Sequence, residues 1–173
     1  MEKFIIGLVV SNHHGVLHRI AGLYNKRGYN IDSLAVGETE NPQLSRMTIV
    51  SSGDMYIRTQ MIRQLKKLHD VKAAELIEGD GSVSIEHLLI KLKTGNVKNA
   101  EITSLVNQYS GKVLDMGTDF MLADITGSPD AIQEFIEKCK SIGIHELCRS
   151  GALALSGGSN VILNQKNLEE KNG

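Results

Sequence analysis

Asn12 followed by Gly15 is the spacing in this chain with the clearest chemical promise, because it falls between an apolar run ending at Val10 and a helical pattern starting at Val16. Backbone N–H groups at a helix start are unpaired and carry the positive end of the helix dipole. Gly15, Val16 and Leu17 are therefore placed to bind a carboxylate. Glycine lets an anion approach the backbone closely, while the Asn12 amide can donate to a carboxylate and accept from an ammonium. Together these groups make a clamp for an α-amino acid. The same residues also suit a plain turn, with Asn12 capping it and Gly15 shaping it.

Other constellations carry less. His14 and His18, four residues apart beside His13, could share a helix face as metal ligands, but no Cys or acidic third ligand lies nearby in sequence, so no metal site is assigned. Gly79-Asp80-Gly81 with Asn107 downstream imitates the magnesium-holding spacing of thiamine-diphosphate enzymes. Gln108 stands where a second Asn is needed, and much larger α/β domains would be required, so a linker turn is the reading. Arg58, Arg63, Lys66, Lys67 and Lys72 read as solvated positions of an amphipathic helix. No nucleophile sits beside a base, so no catalytic residue and no cofactor-binding residue is assigned.

Composition supports a binding module. Lys plus Arg number 19 against 20 Asp plus Glu, which leaves no global field to steer a polyanion, and seven aromatics in all, none of them Trp, provide no stacking platform. Nucleic acid is excluded as a partner on these grounds. The run 4–10 is too short to span a bilayer and no basic leader precedes it, which argues against a membrane partner. Cys139 and Cys148 lack both CxxC spacing and a dense disulfide pattern, so a cytoplasmic location is expected.

Hydrophobic period supplies the scaffold. A strand at 4–10 precedes a helix with Val16, Leu17, Ile20, Leu23 and Tyr24 inward, stopped by Gly28; strands at 30–36 and 45–50 flank a hairpin loop with Asn41-Pro42. Asp54 then caps a helix bearing Ile57, Met61, Ile62, Leu65 and Leu68, and a short strand follows at 71–77. The order is βαββαβ. After a joint at 79–83 it repeats: a strand at 84–92, a helix with Ile102, Leu105, Val106 and Tyr109 ending at Gly111, strands at 112–116 and 120–126, a Ser128-capped helix with Pro129 at its first position, and a weaker strand at 144–149. The fold class expected is α+β, two tandem ferredoxin-like βαββαβ sandwiches. The boundaries expected are 1–78, a linker 79–83, 84–157, and a frayed tail 158–173 from which 161–163 could dock. Each sandwich leaves one sheet face bare, so pairing with a second copy is expected through that face or an edge.

The blocks Arg27-Gly28-Tyr29-Asn30-Ile31-Asp32-Ser33-Leu34 and Leu44-Ser45-Arg46-Met47-Thr48-Ile49 closely resemble the small, regulatory subunit of acetolactate (acetohydroxyacid) synthase. Asn12, Gly15, Gly53-Asp54, Asp70-Val71 and Arg149-Ser150-Gly151 also fall where that family places them, over about residues 1–157. The resemblance implies an N-terminal ACT domain and a homodimer that binds a large catalytic subunit, raises its activity and confers feedback inhibition by valine in branched-chain amino acid synthesis. It implies a non-catalytic chain without cofactor, the catalytic partner carrying thiamine diphosphate, Mg and FAD. It places valine between two ACT domains, at the loop with Asn12 and Gly15 of one chain and at Asn30 of the other; His14 of that loop is counted with them as effector-binding, and Val16, Leu17, Ile31 and Leu34 are expected to supply the specificity for a branched apolar side chain. The alternative is a free-standing ACT-type amino-acid or metal sensor.

Overall fold

The computed structural model describes residues 2–95 and 98–163 of the 173. The chain divides into two compact units, Met1–Val83 with Ala154–Gly173, and Ser84–Leu153.

In the first unit β1 (Glu2–Ser11), α1 (Val16–Arg27), β2 (Ser33–Glu38), β3 (Leu44–Gly53), α2 (Met55–Lys66) and β4 (Val71–Leu76) form an antiparallel sheet ordered β2-β3-β1-β4. Alternation along β1 sends Phe4, Ile6, Leu8 and Val10 into the core with Met47 and Ile49 of β3. Val16, Ile20 and Tyr24 of α1 and Met61 and Leu65 of α2, spaced by four along each helix, close that core from one side. Leu17 departs from the expected apolar stripe and is 45% exposed. Gly28 ends α1 in the left-handed conformation (φ 68°), and Asp54 caps α2 by accepting from the Ile57 N–H at 2.8 Å.

In the second unit β5 (Val83–Lys93), α3 (Asn99–Gln108), β6 (Lys112–Met116), β7 (Phe120–Gly127), α4 (Pro129–Lys140) and β8 (Ile144–Arg149) repeat the plan as β6-β7-β5-β8, with β9 (Leu153–Leu155) also pairing β5. The expected inward residues of α4, Ile132, Phe135, Ile136 and Cys139, are all buried. α3 ends differently from expectation. Ser110, not Gly111, takes the left-handed turn (φ 55°). Gly111 is needed for close packing, since a Cβ there would lie 2.8 Å from the Asp124 carbonyl oxygen. Two tandem ferredoxin-like sandwiches are thus the architecture.

Two surface expectations change. Arg58 is not a solvated helix position: its guanidinium lies 5.4 Å from the centre of the buried Phe4 ring and 2.7 Å from Glu2. The face of the first sheet away from the helices is not bare, because Ile162 packs there with Val9 and Ala73. Of the expected tail, residues 164–173 lie outside those described. No helix among the described residues is long and apolar enough to cross a membrane.

Candidate functional site

The loop between β1 and α1 is pinned by backbone at both ends of its entry. The Ser11 N–H donates to the Asp70 carbonyl at 2.8 Å, and the Asn12 N–H to the Gln43 carbonyl at 2.7 Å. Gly15 then takes φ 84°, a left-handed conformation that favours glycine, and precedes the first residue of α1. No side chain caps α1 and its first turn holds no acidic residue. The leading N–H groups are therefore left for an external acceptor. The space above Gly15 is open: among the described residues only Arg19 Nη2 comes within 4 Å of where a Cβ would stand, at 3.8 Å.

The side chains of the loop have more specific duties than their types suggest. Asn12 donates its amide nitrogen to Glu38 Oε1 at 2.8 Å and to the Pro42 carbonyl at 2.9 Å. Both amide hydrogens are thus engaged, so Asn12 retains only its oxygen, an acceptor suited to an ammonium rather than a donor for a carboxylate. Val16 is buried in the core, so what it offers the loop is its backbone N–H. Leu17 is exposed beside it. His14 is exposed, and its carbonyl lies 3.0 Å from His13 Nδ1.

Asn30 stands at the opposite end of the sheet. Its carbonyl accepts from Ser51 Oγ at 3.0 Å, and its amide nitrogen donates to Asp32 Oδ1 at 2.6 Å. Asp32 in turn accepts from Ser52 Oγ at 2.6 Å, and that hydroxyl, with the Asn30 amide and Lys3, holds the Asp32 carboxyl below its ordinary value. Ile31 and Leu34 are half-buried and pack against the same core. Along β3 the distance from Leu44, level with Ser11, to Ser51, level with Asn30, is about 20 Å at ordinary strand rise. One chain does not bring Asn12 and Asn30 together.

Asp70 was missed as part of this loop, having been read only as part of a sequence block. It is buried, and receives Arg19 Nε at 2.7 Å and His13 Nε2 at 3.1 Å. A single carboxylate thereby ties the loop and the first turns of α1 to the start of β4. The only available signal was its position immediately before a strand, which has no periodicity to read. Among the described residues no group of three His, Cys, Asp or Glu is placed to hold a metal ion.

Comparison with known proteins places this geometry. Residues 6–73 match the family described as AHAS small subunit-like ACT domain, and residues 85–158 the family described as small subunit of acetolactate synthase. The chain is 40% identical over 158 residues to a probable acetolactate synthase small subunit of Archaeoglobus fulgidus, covering 91% of this chain and 98% of that one. It is 36% identical over 159 residues to the acetolactate synthase small subunit of Bacillus subtilis, covering 91% and 92%. The crystal structure of the acetolactate synthase small subunit from Thermotoga maritima superposes with a TM-score of 0.85 at 32% identity, covering 93% of this chain and all of that one. The chain belongs to the acetolactate synthase small-subunit family and carries that family's ACT domain in its N-terminal part.

Proposed function

We propose that this chain is the regulatory, non-catalytic subunit of a cytoplasmic acetolactate synthase, that it activates a large catalytic subunit, and that it makes that subunit sensitive to valine through a dimer of its ACT domains. Thiamine diphosphate, Mg and FAD belong in this reading to the catalytic partner. The relatives' name, small subunit, supports the partner.

The observation that carries the valine site is the free edge of the first sheet. β2 is an edge strand of that sheet, with Val36 half exposed. Two β2 strands pairing antiparallel about a centre at Ala35–Val36 set Ser33 of one copy opposite Glu38 of the other. Glu38 holds Asn12. The two ends that lie about 20 Å apart within one chain thus meet between two chains.

At that junction the hydrogen-bond inventory fits a zwitterion. The N–H groups after Gly15 take the carboxylate, and the oxygens of Asn12 and of Asn30 from the second copy take the ammonium, both hydrogens of the Asn12 amide being engaged and one of the Asn30 amide being held by Asp32. Ile31, Leu34 and the exposed Leu17 supply apolar walls. Since one methylene is worth about 1–3 kcal/mol in such a pocket, leucine and isoleucine inhibit as well, more weakly. A coupling of about 1–3 kcal/mol between valine and the catalytic partner gives a 5- to 150-fold effect, and linkage requires that the partner alter valine affinity equally.

The test is to titrate the chain into the large subunit of the same organism, with and without valine, and follow acetolactate formation. Stimulation that valine reverses is the expected result; neither stimulation nor a valine response overturns the reading. Asn30→Ala and Gly15→Asp each abolish inhibition while leaving stimulation mostly intact. Inhibition retained in both variants removes the site assignment. A free-standing sensor would instead bind valine without stimulating the enzyme.

A further inference from the structure

The face of the first sheet opposite its helices presents Gly7 and Val9 of β1, Arg46 of β3, Ala73 and Glu75 of β4, and Ile77. A βαββαβ unit has no element of its own to cover this face. Here the chain from Ala154 to Leu163 runs over it and touches it at both ends. Arg46 Nη2 donates to the Ala154 carbonyl at 3.1 Å, Ser156 Oγ donates to Glu75 Oε1 at 3.0 Å, and Ile162, 9% exposed, packs on Val9 and Ala73 with Leu44 and Leu163 alongside.

Two glycines show that the fit is built. Gly7 lies in the middle of a central strand, where glycine ordinarily weakens pairing unless something must come close. Something does: a Cβ at Gly7 would stand 2.5 Å from Ile162 Cδ1, 2.6 Å from Arg46 Nη2 and 2.9 Å from Ile77 Cδ1. The missing side chain is the hole that Ile162 fills. Gly157 passes directly over the joint, where a Cβ would fall 2.2 Å from the Gly81 carbonyl oxygen. That contact is backbone on backbone and leaves room for no other residue.

We propose that residues 154–163 are a resident strap of the first unit, which masks a sheet face, apolar at Gly7, Val9, Ala73 and Ile77, that would otherwise bind a second copy of this chain. The strap leaves the β2 edge as the open sheet surface for self-association. This inference concerns the chain alone and does not rest on the valine reading, so its test uses neither valine nor a catalytic subunit.

The experiment compares the full chain with Ile162→Asp, which charges the knob, and Gly7→Val, which fills the hole from the sheet side; Ile162→Val is the conservative control. Thermolysin cuts before large apolar residues, and mass spectrometry reports cuts before Leu155, Val161 and residues 162–163. The unmodified chain and Ile162→Val resist cutting there, while Ile162→Asp and Gly7→Val are cut tenfold faster or more. Sedimentation of the two strap variants shows species larger than that of the unmodified chain at the same concentration. Cutting of the unmodified chain at the variants' rate, or variants with unchanged mass, overturns the proposal. Ile162 lies outside the helix-covered core, so its variant remains informative where Gly7→Val fails to fold.

Discussion

The residue that leads into the last strand of each sandwich is Asp70 before β4 and Gly143 before β8. The backbone around the two is bonded alike. Ser11 N–H to the Asp70 carbonyl (2.8 Å) is matched by Lys93 N–H to the Gly143 carbonyl (3.0 Å), and Asn12 N–H to Gln43 (2.7 Å) by Thr94 N–H to Asp119 (3.1 Å). The side chains diverge. Asp70 ties down Arg19 and His13, whereas Gly143 only turns the chain after α4, with φ 105°. Asn12 is exposed and keeps a free oxygen, whereas Thr94 is buried and its hydroxyl donates to the Thr118 carbonyl at 3.3 Å. A repeated scaffold thus fixes where a site can form, and a handful of loop side chains decides whether it does.

The largest test of that division is Phe135→Ala in α4. Phe135 is fully buried and meets Tyr109 edge-on with ring centres 5.1 Å apart. Its truncation costs the second unit about 3–5 kcal/mol. Calorimetry should show a transition of the second unit moving down while that of the first stays in place. A common shift of both would show that the two sandwiches melt as one and that the site cannot be ascribed to the first alone.

Asp70→Asn comes next. It keeps the volume and removes the charge that Arg19 and His13 share; both partners are about half exposed and rehydrate, so the cost is about 1–2 kcal/mol by urea unfolding. The loop is loosened as well, so valine concentrations for half-inhibition should rise severalfold. Thr94→Ala, at the matching position of the second unit, should leave them unchanged. Equal effects of the two substitutions would dissolve the comparison.

The scaffold was legible in the sequence because it is periodic. Strand alternation and helix stripes located all eight main strands and four helices, and the caps at Asp54 and Ser128 are made as expected. The site was legible only by residue type. Asn12, Gly15 and Asn30 could be singled out, but not that Glu38 and the Pro42 carbonyl, both distant in sequence, take the two hydrogens of the Asn12 amide, nor that Asp32, two residues on, takes one from Asn30 through a loop geometry that no periodicity marks. Asp70 and the cover over Gly7 depend on contacts between segments distant in sequence, for which a single chain shows no local pattern. Arg58 misled in the other direction, because a basic residue on a helix ordinarily reaches water and this one lies over Phe4.

The smallest effect concerns Asp32. A carboxyl held low in the folded state contributes stability that is fully present above its ordinary value, about 4, and is lost as the pH falls through the depressed value. Asp32 is exposed, so the contribution is under about 1 kcal/mol. The second unit enters β6 from Gly111 with no carboxylate at the matching place; the carboxyls it holds low, Glu134 beside Lys138 and Glu137 beside Lys140, lie on the surface of α4 instead. Urea unfolding at pH 7 and pH 3 should therefore show a smaller acid-induced loss in Asp32→Asn than in the unmodified chain. Asparagine at this position still offers Asn30 an oxygen to donate to, so valine inhibition at neutral pH should survive the substitution. Loss of inhibition together with an unchanged acid response would mean that the charge of Asp32, and not its hydrogen bond, orients Asn30.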